Sequence, residues 1–203
     1  MDEIVFAADK VGVKSAIVTP PTIYGPSRGP ATSKPNGQVY DLAKATLQRK
    51  KGFMINDGLA YWSNVHISDL SNLYLSLVES AISPPPTAPP FPIFGPEAYY
   101  FAEHGEHIWG DISLLVAQEA KKQGFIDTEA VDKITPEEAD TMAKWGGFLW
   151  SFNSRSKAER ARKVFNWTPK GTSFVDEIPA AVRGEAERLG LVKHHASVAA
   201  GDA

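Results

Sequence analysis

The run VKSAIVTP at residues 13–20 is short, apolar and β-branched, and Pro20 and Pro21 stop it. Those features mark a short, buried strand. Just upstream, DEIVFAADK at residues 2–10 sets Ile4, Val5 and Ala8 on one helical face, and Gly12 closes that helix. A helix that feeds directly into a strand is half of a parallel α/β repeat. The chain is therefore expected to build an α/β fold around a parallel sheet.

The remaining punctuation agrees. Residues 25–37, GPSRGPATSKPNG, read as a loop, and Val39 to Lys50 as an amphipathic helix closed by Gly52. Asn64 to Asp69 (NVHISD) reads as a strand entering a helix capped by Asp69. That helix is expected to bury Leu70, Leu73, Tyr74, Leu77, Val78 and Ala81, the strongest helical stripe in the chain. Residues 83–92, SPPPTAPPFP, cannot be helical and form a connector. IFGPEAYYFAE at residues 93–103 supplies one or two strands. Helices follow at 111–123, at 136–144 behind a capping box with proline at its first position, at 155–165 and at 175–189. Pro179 should bend or delay the last of these. Trp145-Gly146-Gly147 reads as a helix end, and residues 194–203 as a disordered tail.

Composition narrows the function. The 203 residues are enough to bury a core without staples, and the absence of cysteine rules out thiolate chemistry and disulfides. Lys and Arg number 21 against 24 Asp and Glu, leaving no basic excess for a nucleic-acid backbone. No apolar run reaches the ~18 residues of a membrane span. A cytoplasmic α/β protein with a small-molecule ligand, and no nucleic-acid or membrane partner, is the expectation.

Several residue groups invite a catalytic reading. Tyr40 and Lys44 have the Tyr-x-x-x-Lys spacing, but any amphipathic helix places i and i+4 on one face. His104 and His107 in HGEH, with Glu106, supply too few ligands for a metal, and solvated loop histidines are expected. No metal site is expected elsewhere. His66 reads as a satisfied buried imidazole. Arg155, Lys157, Arg160, Arg162 and Lys163 belong to an ordinary amphipathic helix. The informative motif is TPPTIYGP, residues 19–26: a strand end, two prolines holding the backbone extended, and a glycine allowing a sharp exit. Ligands of open α/β sheets sit beyond such carboxyl ends.

AIVTPPTIYGP resembles the R-P-x-x-x-Y-G-P segment of extended short-chain dehydrogenases, the NAD-dependent epimerase/dehydratase family. Two further segments match in the same order. NVHISDLSNLYLSLVE is similar to the family's VHVDDLA segment, and SRSKAERARKVFNWTPK to its S-x-K-A-x-x-x-L-G-W-x-P element. The resemblance implies the C-terminal part of a doubly wound, Rossmann-like parallel sheet, incomplete here, with a smaller, mainly helical substrate-binding lobe. Residues 1–26 and 64–104 would be mainly Rossmann-side, and 27–63 and 105–193 mainly substrate lobe.

Departures from the pattern also carry information. Thr19 replaces the usual arginine, and Trp62-Ser63-Asn64 stand where sugar-nucleotide epimerases tend to have Arg-Asp-Tyr or Arg-Asp-Phe, against a sugar-nucleotide substrate. There is no G-x-x-G-x-x-G turn, and the family's Tyr-x-x-x-Lys helix precedes the proline strand, whereas Tyr40 and Lys44 follow it. They are a decoy, and no catalytic residue is assigned. What the resemblance implies is an NAD- or NADP-dependent oxidoreductase or epimerase/dehydratase acting on a small carbonyl or alcohol. Pro20 and Ile23 would lie against the nicotinamide carboxamide, and Tyr24 and Gly25 beside the substrate. As a fragment the chain would be inactive alone, with a bare sheet edge that invites homo-oligomers. The alternative is a non-catalytic truncated paralogue acting as a binding protein.

Overall fold

The structure, a computed structural model, describes residues 2–26, 37–83, 85 and 87–192. The expected tail at 194–203 and most of the loop at 25–37 lie outside them. In chain order the elements are α1 (Asp2–Ala7), a 3-10 turn (Ala8–Val11), β1 (Ile17–Thr19), β2 (Thr22–Tyr24), α2 (Gln38–Arg49), β3 (Gly52–Ile55), β4 (Tyr61–His66) and α3 (Ile67–Ile82). Then come β5 (Tyr99–Phe101), β6 (Gly105–Ile108), α4 (Trp109–Lys122), β7 (Val131–Ile134), α5 (Pro136–Met142), α6 (Gly146–Leu149), α7 (Glu159–Phe165) and α8 (Phe174–Arg188).

Among the described residues the strands form three small sheets, β1–β5, β2–β4–β6 and β3–β7. The pairs β1–β5, β2–β4 and β3–β7 are all parallel, with Ile17 opposite Tyr99, Thr22 opposite Asn64 and Gly52 opposite Val131. The α/β, parallel expectation holds. The expected strand at 13–20 is shorter than its apolar run: only Ile17–Thr19 find a partner, and the chain resumes after the prolines as β2 in a different sheet. Strands β3 and β7 carry no strong sequence signal at four residues each and owe their existence to each other.

The chain divides into two compact units. The first comprises residues up to 26, 63–106 and 154–172. Its core gathers Val65, Leu70, Leu73, Leu77, Ala98, Tyr100, Ala102, Ala158, Ala161 and Trp167. Leu73 is fully buried, but Tyr74 and Val78, expected in the same stripe, are exposed, as are Leu75 and Ile82. The helix buries one narrow stripe and turns a second apolar one outward. Residues 154–172, expected with the smaller lobe, belong to this first unit. Ser63 N–H donates to the Ser154 carbonyl at 2.9 Å, and Ser156 N–H to Ser63 Oγ at 3.0 Å.

Of the described residues, the second unit comprises 37–62, 107–153 and 173–192. Here α2, α4 and α8 pack on one another and α4 covers β3. Val39, Leu42, Leu47, Phe53, Trp109, Ile112, Val116, Trp150, Phe174 and Val182 are buried. Helix α2 ends at Arg49, and Lys50, in a left-handed conformation, is its cap. Helix α5 has both bonds of the capping box between Thr135 and Glu138. Trp145-Gly146-Gly147 opens α6 rather than closing α5: a side chain at Gly146 would strike the Ala139 carbonyl at 2.6 Å, so only glycine lets the two short helices meet. Pro179 sits inside α8 without ending it, behind a Ser173 cap.

Candidate functional site

The site that the sequence singles out lies in the first unit, where β1 ends. Strands β1 and β2 are separated only by Pro20 and Pro21, yet they join different sheets, one beside β5 and the other beside β4. Two consecutive prolines lack N–H groups, so the linker donates to neither ladder and the strands can part. In open α/β sheets ligands sit beyond the carboxyl ends of the strands, where neighbouring strands diverge.

Pro20 is half-buried at the fork, and Ile23, in the middle of β2, is 36% exposed while its neighbours Thr22 and Tyr24 are buried. Period-two alternation thus turns Ile23 outward. Tyr24 points inward. Its ring meets the edge of His66 at 5.3 Å and its hydroxyl donates to the Thr172 carbonyl at 2.8 Å. Gly25 is left-handed, with φ of 104°, and a Cβ there would come within 2.5 Å of His66 Nε2. That closeness, as much as the backbone angle, requires glycine.

His66 occupies the centre of this arrangement. Its Nδ1 accepts from Ser68 N–H at 3.2 Å and lies 2.7 Å from Ser68 Oγ, which makes His66 the N-cap of α3. Since a backbone N–H can only donate, Nδ1 is the acceptor and Nε2 carries the proton of the neutral ring. A Cβ on Gly171 would meet His66 at 2.5 Å, so the imidazole is clasped between Gly25 and Gly171.

Asp69, expected to cap the helix, is instead a buried carboxylate in its first turn. Oδ1 accepts from Lys170 N–H and Oδ2 from Gly171 N–H, both at 2.9 Å, and the Asp69 carbonyl accepts from Trp167 Nε1 at 3.0 Å. His104 Nδ1 lies 3.6 Å from Oδ2. One side chain thereby ties a segment about a hundred positions away onto the start of α3 and seats Gly171 against His66. Nothing local in the sequence announces this role.

The other motifs settle individually. Tyr40 is buried in α2 while Lys44, one turn on, is exposed, so the two side chains do not open together onto one site. The expectation of solvated histidines in HGEH fails: His104 is half-buried beside Asp69, and His107 is buried against Trp109 and Phe174 at ring separations of 4.5 Å. Burial drops its pKa to about 3, so it is neutral in the fold. Among the basic run, Arg162 and Arg155 pair with Glu103 and Glu106, and Arg160 donates to the Pro92 carbonyl.

No family model matches the chain. Among curated proteins, oxidase ucsJ from Acremonium sp is 33% identical over 182 residues, 88% of this chain and 52% of that protein. Among solved structures, UDP-glucose 4-epimerase from Thermotoga maritima superposes with a TM-score of 0.57 at 16% identity over 92% of this chain and 50% of the epimerase. The dTDP-glucose 4,6-dehydratase DesIV from Streptomyces venezuelae gives 0.58 at 17%, covering 95% and 50%. PbgP3 from Burkholderia pseudomallei gives 0.62 at 14%, covering 95% and 53%. The fold is that of the Rossmann-like epimerases and dehydratases, and the chain spans about half the length of the proteins it matches.

Proposed function

We propose that this chain is the substrate-side and nicotinamide-side portion of an NAD- or NADP-dependent oxidoreductase or epimerase/dehydratase acting on a small carbonyl or alcohol. The observation that carries the reading is the fork at Pro20-Pro21, where consecutive strands leave for different sheets and expose Ile23. The likeness to an oxidase over most of this chain supports it.

The residues present fit one end of a dinucleotide. Pro20 and Ile23 offer an apolar wall to a flat ring and its carboxamide, and Gly25 continues that wall toward the substrate. Tyr24 acts from behind. With its ring and hydroxyl both engaged, it holds the β2 backbone in place and reaches a substrate only through that backbone. When bound, the nicotinamide supplies hydride transfer. The pyrophosphate end needs a glycine-rich turn at a helix N-terminus, which the sequence lacks. We therefore place the rest of the cofactor site outside these 203 residues, in a cytoplasmic protein whose exposed α3 stripe favours self-association.

Calorimetry with NADH and NADPH tests this. The 203-residue chain should give no saturable heat, whereas a chain extended through an upstream glycine turn should bind, with Ile23→Asp weakening that binding. Micromolar dinucleotide affinity in the 203 residues alone, or an extended chain indifferent to Ile23→Asp, defeats the reading.

A further inference from the structure

We infer that the first unit carries a second ligand site, at the amino end of β1, that takes an aromatic monocarboxylate. The last turn of α3 and the segments leading into β1 and β5 meet there around a pocket of about 510 Å³. Its lining includes Lys14, Ser80, Pro85, Pro89, Ile93 and Phe94. That size holds a small organic ligand. Lys14 precedes β1 and the fork follows it, so the pocket lies at the other end of the strand from the fork.

The walls are held from several directions. Lys14 Nζ donates to the Ala81 carbonyl at 2.9 Å, which ties the approach to β1 onto the end of α3. Gly95 N–H donates to the Ser15 carbonyl and the Tyr100 hydroxyl to the Ile93 carbonyl, both at 2.9 Å. The segment carrying Ile93 and Phe94 is thus fixed on both sides. The proline connector is anchored at its end, where the Pro92 carbonyl accepts from Arg160 at 2.6 Å.

Charge selects the head group. Among the described residues Lys14 is the one charge lining the pocket. An ammonium has three N–H donors, and among the described residues Lys14 uses one, on Ala81. It also stands 5.8 Å from the centre of the Phe94 ring, against the apolar wall. Two remaining donors on a single positive charge suit a carboxylate. The connector adds none, because Pro85 and Pro89 lack N–H groups. A doubly charged phosphate would therefore lose water and find only one cation, and an amine would meet Lys14 as a like charge. The rest of the lining, with Ala88, is rings and short aliphatic groups, against which a flat aromatic body fits.

The inference is independent of the dinucleotide reading and survives a failure to bind NADH. Saturation-transfer NMR on the 203-residue chain tests it with 2-naphthoate, 2-naphthamide and 2-naphthylmethylamine, which share a ring system and differ in charge. 2-Naphthoate should saturate with a Kd of about 0.1–1 mM, as expected for a ligand of about thirteen heavy atoms. The amide and the protonated amine should bind at least about fivefold more weakly. Lys14 and Ala88 are exposed, so their substitution leaves the core intact. Lys14→Met keeps the aliphatic stem and should bring 2-naphthoate to the affinity of the amide. Ala88→Asp leaves Lys14 in place and should weaken 2-naphthoate about fivefold or more while sparing the amine. Equal affinity for the three probes, no saturable signal, or 2-naphthoate binding indifferent to either variant would overturn the assignment.

Discussion

Replacing Asp69 by Asn tests how the fork is held. The change keeps the shape of the side chain but converts one acceptor oxygen into a donor. Both oxygens are in use, one facing Lys170 N–H and the other Gly171 N–H, so either orientation of the amide sets NH₂ against N–H. One charge-assisted bond is lost, the other becomes neutral, and a backbone donor is left unmatched beside a side chain only 2% exposed. Charged hydrogen bonds contribute about 1.5–3 kcal/mol each, and an unmatched buried donor costs about 1–3 kcal/mol. A loss of roughly 2–4 kcal/mol follows, a large fraction of the stability of an ordinary domain. Urea denaturation followed by tryptophan fluorescence reads the loss, since Trp167 is anchored to the same residue. Hydrogen exchange at Lys170 and Gly171 should accelerate most. Gly171→Ala, which presses a Cβ onto His66, should destabilise too, and combined with Asp69→Asn should cost less than the sum, because both loosen one contact. An Asp69→Asn protein within about 0.5 kcal/mol of the parent, or unchanged exchange at those amides, would refute the assignment.

Three further outcomes follow from the packing. Leu73→Ala, in the centre of the first unit's core, should cost about 2–5 kcal/mol by the same denaturation assay, while Val78→Ala on the exposed face of the same helix should stay within about 0.5 kcal/mol. His107 has a folded-state pKa of about 3, depressed by burial from 6.5, so the unfolded chain takes up its proton first as pH falls. Its contribution is complete above the unfolded value and declines by about 1.4 kcal/mol per pH unit below it, down to the folded value. Between pH 7 and pH 5 the chain should lose roughly 2 kcal/mol through this group, and His107→Phe should flatten that slope when urea midpoints are compared across pH. Tyr24→Phe removes the bond to Thr172 and should cost about 1 kcal/mol without altering the exposure of Ile23, a change checked by melting temperature.

Much of the local order was legible in the sequence because its causes are local. The capping box of α5 needs only Thr135 and Glu138 three positions apart, and both bonds form. Leu70, Leu73 and Leu77 recur at helical spacing, and that stripe is the one α3 buries. The parallel α/β class followed from a helix running into an apolar, β-branched run. Tertiary structure decided the rest, where the cause is a partner far along the chain. Apolar character made residues 13–20 a strand candidate, but only pairing with Tyr99–Phe101 fixed which three residues became β1. An aspartate at a helix start suggests a cap, yet His66 took that role and Asp69 turned to Lys170 and Gly171. A Tyr-Gly pair after two prolines marks a bend, but the direction of Tyr24 was set by the Thr172 carbonyl, 148 positions away. Periodicity reports how a residue sits on its own element. Which element it then meets is fixed by packing, and in this chain the fork and its supports are made almost wholly of such meetings.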